Sequence, residues 1–256
     1  GYVDDSTFQN INDFIAYHQQ MYEFHVGLAS PHTYQSKPYG WLLQTRPTSF
    51  FWQEKAQVPQ TCWDGECIQA ITSIGNIVIW WSAVVALVAV IIIGVKNRDW
   101  RVWVPLIGYL GLYVPWFQYR DRTIFTFYTV AFVPFVVLAL TLWLGAISGL
   151  IEPVPGSRLA SREDAALASG SIGEDRPYPR GFMARLLGFG GRPTRRGLPA
   201  EWTGVPAWRT RAEGLWVLAA VVIAATIFAV LWWPIWTGQT VSYDFWHWHM
   251  LLPSWV

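Results

Sequence analysis

Residues 71–95 read ITSIGNIVIWWSAVVALVAVIIIGV, and this stretch decides the fold that the sequence predicts. It contains no Asp, Glu, Lys or Arg. A helix that crosses a hydrocarbon core of about 30 Å needs about 20 mainly apolar residues. The stretch is long enough for such a helix, so it predicts an integral membrane protein.

Three further apolar stretches follow, so we expect four transmembrane helices, at residues 71–95, 100–117, 124–151 and 214–236. The composition agrees, because 53% of the 256 residues are hydrophobic and 14% are charged, whereas soluble domains carry about 25% charged residues. No ionisable residue lies deep in a predicted span, which argues against a transporter or a proton relay. The net charge of +1 gives no reason to expect nucleic acid as a partner.

The basic residues predict the orientation of these helices. Lys96, Arg98 and Arg101 follow the first span, and residues 152–213 contain ten arginines. Cytoplasmic loops carry an excess of Lys and Arg, so both segments are expected in the cytoplasm. The long loop is rich in Gly, Pro, Ser and Arg and is expected to be mostly disordered, with a basic piece at 181–189 that can lie on anionic lipid.

The predicted fold class is therefore an all-α integral membrane protein with both termini outside the cytoplasm. We divide it into an outer segment at 1–70, three transmembrane helices at 71–151, the cytoplasmic loop at 152–213, and the fourth helix with an outer tail at 214–256. The first residue is Gly1, and we expect the sequence to come from a longer protein.

The outer segment is expected to contain one amphipathic helix. Apolar and aromatic residues recur from Ile11 at three- and four-residue spacing, and Gly27 is a natural end of the helix. His18 and His25 lie seven residues apart on the apolar face. We interpret them as interfacial rings, and a histidine site is the alternative that lacks an acidic partner.

Cys62 and Cys67 are the two cysteines of the chain. We predict a disulfide between them, because the outer side of the membrane is oxidising. A metal site is the alternative, but two thiolates without a nearby His make a poor ligand set.

The candidate site is centred on residues 31–47, PHTYQSKPYGWLLQTRP. This stretch places His32, Lys37 and Arg46 among aromatic residues and prolines, with no carboxylate. Such a surface suits a phosphate carried on a lipid, since guanidinium groups bind phosphate oxygens in pairs. An ordinary juxtamembrane loop that touches phospholipid headgroups is the alternative interpretation.

Arg120 and Arg122 are expected to join this surface from the turn at 118–123. They oppose the positive-inside bias, and Asp121 is positioned to neutralise one of them. The tail residues 246–249, WHWH, are interpreted as an interfacial anchor, and a pair of histidine ligands is the less favoured alternative. We assign no catalytic residue, no metal and no cofactor, since no Ser-His-Asp set, HExxH motif or pair of carboxylates is visible.

Four ordered motifs resemble those of protein O-mannosyltransferases. They are HTYQSKPYGW at 32–41, IGNIVIWW at 74–81, RTIFTFY at 122–128 and MLLPSW at 250–255. The resemblance covers nearly the whole chain and is closest to the C-terminal four-span region of bacterial members.

The resemblance implies a glycosyltransferase of the GT-C type in the bacterial plasma membrane. Such an enzyme transfers mannose from polyprenyl-phosphate-mannose to Ser or Thr of exported proteins, in contact with membrane lipid. It also implies that the catalytic base lies in an N-terminal half outside this sequence. The positions it suggests for binding the donor are His32, Ser36, Lys37, Arg46, Arg120 and Arg122. A non-catalytic membrane scaffold that docks a partner through its outer segment is the alternative function.

Overall fold

The computed structural model describes residues 11–54, 62, 66–152, 154–170 and 210–256. Its α-helices are α1 (Ile11–Gly27), α2 (Pro38–Trp41), α3 (Ile77–Asn97), α4 (Trp103–Tyr113), α5 (Val133–Ser148), α6 (Arg158–Ala168), α7 (Ala212–Thr237) and α8 (Tyr243–Trp248). Its strands are β1 (Ser49–Gln53), β2 (Cys67–Thr72) and β3 (Thr240–Ser242). The predicted basic piece at 181–189 and most of the predicted disordered loop lie outside the described residues.

Three helical segments are long and apolar enough to cross a membrane, namely Ile77–Asn97, Thr126–Ser148 and Ala212–Thr237. These segments make the chain an integral membrane protein, as predicted. The first begins six residues later than predicted. Its start is fixed by the side chain of Asn76, which accepts the backbone N–H of Ile79 at 3.3 Å.

The stretch at 100–117, predicted as the second span, is not one long α-helix. Helix α4 has 11 residues and lies between two 3₁₀ segments, Trp100–Val102 and Val114–Tyr119. Two prolines explain the interruption. Pro105 lies in the first turn of α4, where a missing N–H is tolerated, and Pro115 lies two residues beyond its last residue.

The expectation of an all-helical chain is wrong at the three strands. They form one antiparallel sheet in the order β1-β2-β3. Strand β2 includes Ile71 and Thr72, the first two residues of the predicted first span. Its partner β3 comes from the far end of the chain, so local sequence gave no signal for the pairing.

The cytoplasmic-loop prediction also missed a helix, α6. The side chain of Ser157 accepts the backbone N–H of Ala160 at 3.1 Å and caps its start. The last residues of the predicted loop are ordered as well. Arg211 is buried and donates from Nη1 to the carbonyl of Ala146 at 2.8 Å, near the end of α5.

Two buried clusters hold helix α2, the sheet and the tail to the long helices. The first includes Trp41 from α2 together with Trp80, Tyr109 and Phe132 from the helical bundle. The Tyr113 hydroxyl also donates to the carbonyl of Pro38 at 2.8 Å. The second cluster joins the sheet, helix α7 and the tail, through residues that include Ile68, Trp232, Trp246 and Trp255.

Gly214→Ala is expected to destabilise the contact between α5 and α7. A Cβ at this position would lie 2.0 Å from the backbone oxygen of Ile147. Backbone atoms cannot rotate away, and overpacking of this kind costs about 1–3 kcal/mol. The thermal unfolding midpoint in detergent measures the effect. Gly111→Ala is the matched control, because a Cβ there meets no atom within 4 Å. Equal midpoints for the two variants would contradict the close approach of the two helices.

Candidate functional site

The stretch at 31–47 packs directly against the turn that carries Arg120 and Arg122. The backbone N–H of Thr123 donates to the carbonyl of Leu28 at 3.0 Å, and that of Ser36 donates to the carbonyl of Ile124 at 2.8 Å. The Lys37 ammonium donates to the backbone carbonyl of Arg120. The two segments singled out from the sequence therefore lie side by side.

Ser36 is buried inside this contact. Its hydroxyl oxygen accepts the indole N–H of Trp41 at 2.8 Å and lies 2.9 Å from the hydroxyl of Thr126. Thr126 also donates to the carbonyl of Arg46. This network satisfies polar groups that would otherwise be costly to bury. We therefore assign Ser36 to holding the loop in place.

Arg46 is bound mainly to backbone carbonyls of two distant segments. Its Nη1 donates to the carbonyls of Ser254 at 2.6 Å and Val256 at 3.2 Å, and its Nη2 donates to that of Thr33 at 3.1 Å. The guanidinium carbon lies 5.4 Å from the centre of the Tyr34 ring. Three of the five N–H donors of the guanidinium are thus used within the protein. Arg46 therefore clamps the stretch at 31–47 to the tail, and fewer of its N–H donors are left for a ligand.

His32 is exposed, and its ring lies edge-on to Phe125 at 5.0 Å. Its Nδ1 accepts the backbone N–H of Tyr34 at 3.1 Å. The neutral ring then carries its proton on Nε2. His32 can therefore donate one hydrogen bond to an oxyanion without being charged.

Lys37 and Arg120 supply positive charge beside this histidine. Lys37 is half-buried and uses one of its three N–H donors on the Arg120 carbonyl. The side chain of Arg120 is exposed. In the described part of the chain, the ion pair within 4 Å is Arg101 with Asp99, so Asp121 does not neutralise either outer arginine.

Arg122 lies at the wall of a cavity of about 290 Å³. Its guanidinium carbon is 5.9 Å from the centre of the Trp116 ring, and its Nε is buried without a hydrogen-bond partner. Tyr22, His25 and Val26 of helix α1 also line the cavity. The hydroxyls of Tyr22 and Tyr119 lie 3.1 Å apart and link this helix to the turn. That hydrogen bond raises the pKa of Tyr119 above its ordinary value.

Three of the remaining histidines have separate environments. His18 Nδ1 lies 2.8 Å from the carbonyl of Phe14 in its own helix, whereas His25 lines the cavity. His249 is fully buried, and its Nδ1 donates to the carbonyl of Phe245 at 2.6 Å. It packs in the core and does not anchor the tail at the interface as we expected. No group of three or more His, Cys, Asp or Glu side chains able to hold a metal occurs among the described residues.

Cys62 and Cys67 form a disulfide in the structure, and Cys67 is the first residue of β2. The sequence interpretation missed the cavity and the contribution of α1 to its wall. Tyr22 and His25 are three residues apart on one helix face, which was a signal that they face a common partner. That partner, at 116–122, is almost one hundred residues away and could not be identified from spacing.

A family model described as the C-terminal four TMM region of protein-O-mannosyltransferase matches residues 10–152, which is more than half of the chain. Several relatives carry the name polyprenol-phosphate-mannose--protein mannosyltransferase. The relative from Mycolicibacterium smegmatis is 34% identical over 135 residues, covering 51% of this chain and 26% of the relative. The relative from Mycobacterium tuberculosis is 33% identical over 145 residues, covering 55% and 27%. The relative from Corynebacterium glutamicum is 30% identical over 162 residues, covering 60% and 30%.

The fold resembles part of a solved structure, that of the S. cerevisiae protein O-mannosyltransferase Pmt1-Pmt2 complex bound to the sugar donor. The TM-score is 0.59 with 18% sequence identity, and the likeness covers 100% of this chain and 28% of the yeast chain. The chain thus spans less than a third of the length of each of these proteins.

Proposed function

The chain belongs to the protein O-mannosyltransferase family, and on that premise we propose that it is the membrane region of an enzyme that mannosylates exported proteins. The donor in this proposal is polyprenyl-phosphate-mannose, and the acceptors are Ser and Thr hydroxyls. The names of the relatives support the donor and the protein acceptor. The observation that carries the role of this region is the meeting of the His32–Lys37 segment with the two outer arginines.

The charges on this surface suit the leaving group of the reaction. When the bond between the anomeric carbon and the phosphate oxygen breaks, negative charge grows on the polyprenyl phosphate. Lys37, Arg120 and Arg122 then stabilise that charge, and His32 donates a hydrogen bond. Cations and N–H donors already in position are effective because they need no reorganisation during the reaction.

The acceptor hydroxyl oxygen bonds to the anomeric carbon with inversion, and its proton passes to a base. We propose that this base is a carboxylate outside the present sequence, since the relatives are more than three times as long as the region they share with it. The role proposed for the chain described here is therefore binding of the donor phosphate. Ser36 and Arg46 hold the outer loops in position.

This proposal requires the site to face the outside of the bacterial plasma membrane. Tyr39→Cys places a reporter at a residue that is 76% exposed, next to the proposed site. Arg162→Cys places another on the exposed surface of α6. A membrane-impermeant maleimide is expected to label the first in intact cells and the second only after lysis. The native disulfide keeps Cys62 and Cys67 unreactive. Labelling of Arg162→Cys alone in intact cells would reverse the proposed orientation.

Restoration of activity is the direct test of the enzyme function. The chain is co-expressed with the N-terminal part of the Mycolicibacterium smegmatis relative, in cells that lack their own mannosyltransferase. We expect mannose to appear on an exported acceptor, whereas either part alone should give none. The same pair with Lys37→Ala is the internal control for a contribution from this surface. A scaffold function predicts stable association of the two parts without transfer, and that result would refute the proposal.

A further inference from the structure

Strand β1 lies at an open edge of the sheet. The strand order is β1-β2-β3, and among the described residues β2 is the one strand that pairs with β1. In an antiparallel pair, successive residues turn their N–H and C=O groups alternately toward the partner strand and away from it. Every second residue of β1 therefore presents these groups to the open edge, where another extended chain can bind them.

The composition of β1 leaves this edge unprotected. Proteins commonly block an edge strand with Lys or Pro, and residues 49–53, SFFWQ, contain neither and carry no charge. The register shifts between Ser49 and Phe51, so the bulge is confined to the start of β1 and the rest of the strand pairs regularly with β2. Phe50, Phe51 and Trp52 are 57%, 42% and 39% exposed. An uncharged edge with exposed rings suits a polypeptide that is held by its main chain.

A row of aromatic rings joins this edge to the proposed donor site. The ring centres of His32 and Phe125 lie 5.0 Å apart, and those of Phe125 and Phe127 lie 5.3 Å apart. The ring of Phe50 follows, 5.4 Å from that of Phe127. The row begins at the histidine proposed to donate to the phosphate and ends on β1. A chain that lies along β1 therefore passes close to the mannose that is transferred.

We infer that the open edge of β1 binds the acceptor polypeptide as an additional strand, with the rings of Phe51 and Trp52 against its side chains. The inference rests on the proposed function, which supplies a polypeptide acceptor, and it adds the place where that acceptor binds. Strand addition draws its affinity from main-chain hydrogen bonds, which are the same for every sequence. An enzyme that modifies exported proteins of differing sequence needs such tolerance.

Two isomers of a synthetic acceptor test the pairing, in membranes that contain the full-length protein. The parent peptide is Ala-Val-Ala-Thr-Ala-Val-Ala. One isomer is N-methylated on the two alanines beside Thr and the other on the two valines, so the methyl groups block opposite edges of the extended peptide. The Thr hydroxyl must face the sugar, so one edge alone can pair with β1. We expect the KM values of the isomers to differ about tenfold or more. Equal values would overturn the inference.

Phe51→Lys tests the protein side of the same contact. A lysine on an edge strand discourages pairing, so we expect the KM for the parent peptide to rise about tenfold and the KM for the donor to stay unchanged. Trp100→Lys is the matched control, because Trp100 is 62% exposed at the other end of α3. It should leave both KM values unchanged. A rise of both KM values in Phe51→Lys would assign the ring to the membrane interface and overturn the inference.

Hydrogen exchange separates this inference from the proposed function. We expect the parent peptide to slow amide exchange at residues 49–53 of the full-length protein. Such protection in a protein that transfers no mannose would support the strand edge and overturn the enzyme function. Transfer without protection would overturn the strand edge and leave the enzyme function standing. Protection that grows with protein concentration before peptide is added would assign the edge to a second copy of the chain and overturn the inference.

Discussion

Lys37→Ala is expected to lower the rate of mannosyl transfer by about two to three orders of magnitude, which is the usual cost of removing one donor that stabilises developing negative charge. The ammonium also donates to the Arg120 carbonyl, so its loss removes one of the hydrogen bonds that hold the turn with Arg120 and Arg122. The measurement is the initial rate of transfer from polyprenyl-phosphate-mannose to an acceptor peptide, in membranes that contain the full-length protein.

Two controls separate the effect of the Lys37 charge from that of its hydrogen bond to the Arg120 carbonyl. Lys37→Arg keeps the charge and a donor near the Arg120 carbonyl, so we expect it to recover much of the rate. Lys96→Ala removes a lysine from the last turn of α3 and should transfer normally. A rate for Lys37→Ala within twofold of the natural protein would refute the role of this residue in binding the donor phosphate.

Much of the helical structure could be predicted because helices leave a local signal. Helix α1 ends at Gly27, as predicted. The apolar stretches located three spans, but their ends depend on capping. The side chain of Asn76, which starts α3, also donates to the carbonyl of Ala225 in α7 at 2.8 Å. Hydropathy cannot separate β2 from the helix that follows it, since both are apolar.

The contact between the two segments of the candidate site could be predicted for a related reason. Charge and topology indicated that the His32 segment and the Arg122 turn would meet, and they do. The sequence could not show which polar groups are already used inside the protein. Ser36 is paired with Trp41, and Arg46 with carbonyls more than 200 positions further along the chain. Such long-range partners decide whether a side chain is available for a ligand.

Arg46→Ala is expected to release the tail from the stretch at 31–47 and to lower the rate of mannosyl transfer at least tenfold. Hydrogen bonds to a charged group contribute about 1.5–3 kcal/mol each. Loss of three of them at a half-exposed site should cost about 2–4 kcal/mol.

Hydrogen exchange distinguishes the clamp from a direct role of Arg46 at the phosphate. If Arg46 acts as a clamp, amides around Thr33 and at 254–256 should exchange faster in the Ala variant. Arg46→Lys should not restore the protection of these amides from exchange, since one ammonium cannot replace a planar guanidinium that binds carbonyls of two segments. Arg162→Ala, on the exposed side of α6, is the matched control. Lost transfer with unchanged exchange would instead place the guanidinium of Arg46 on the donor, because a clamp cannot be removed without freeing the backbone it holds.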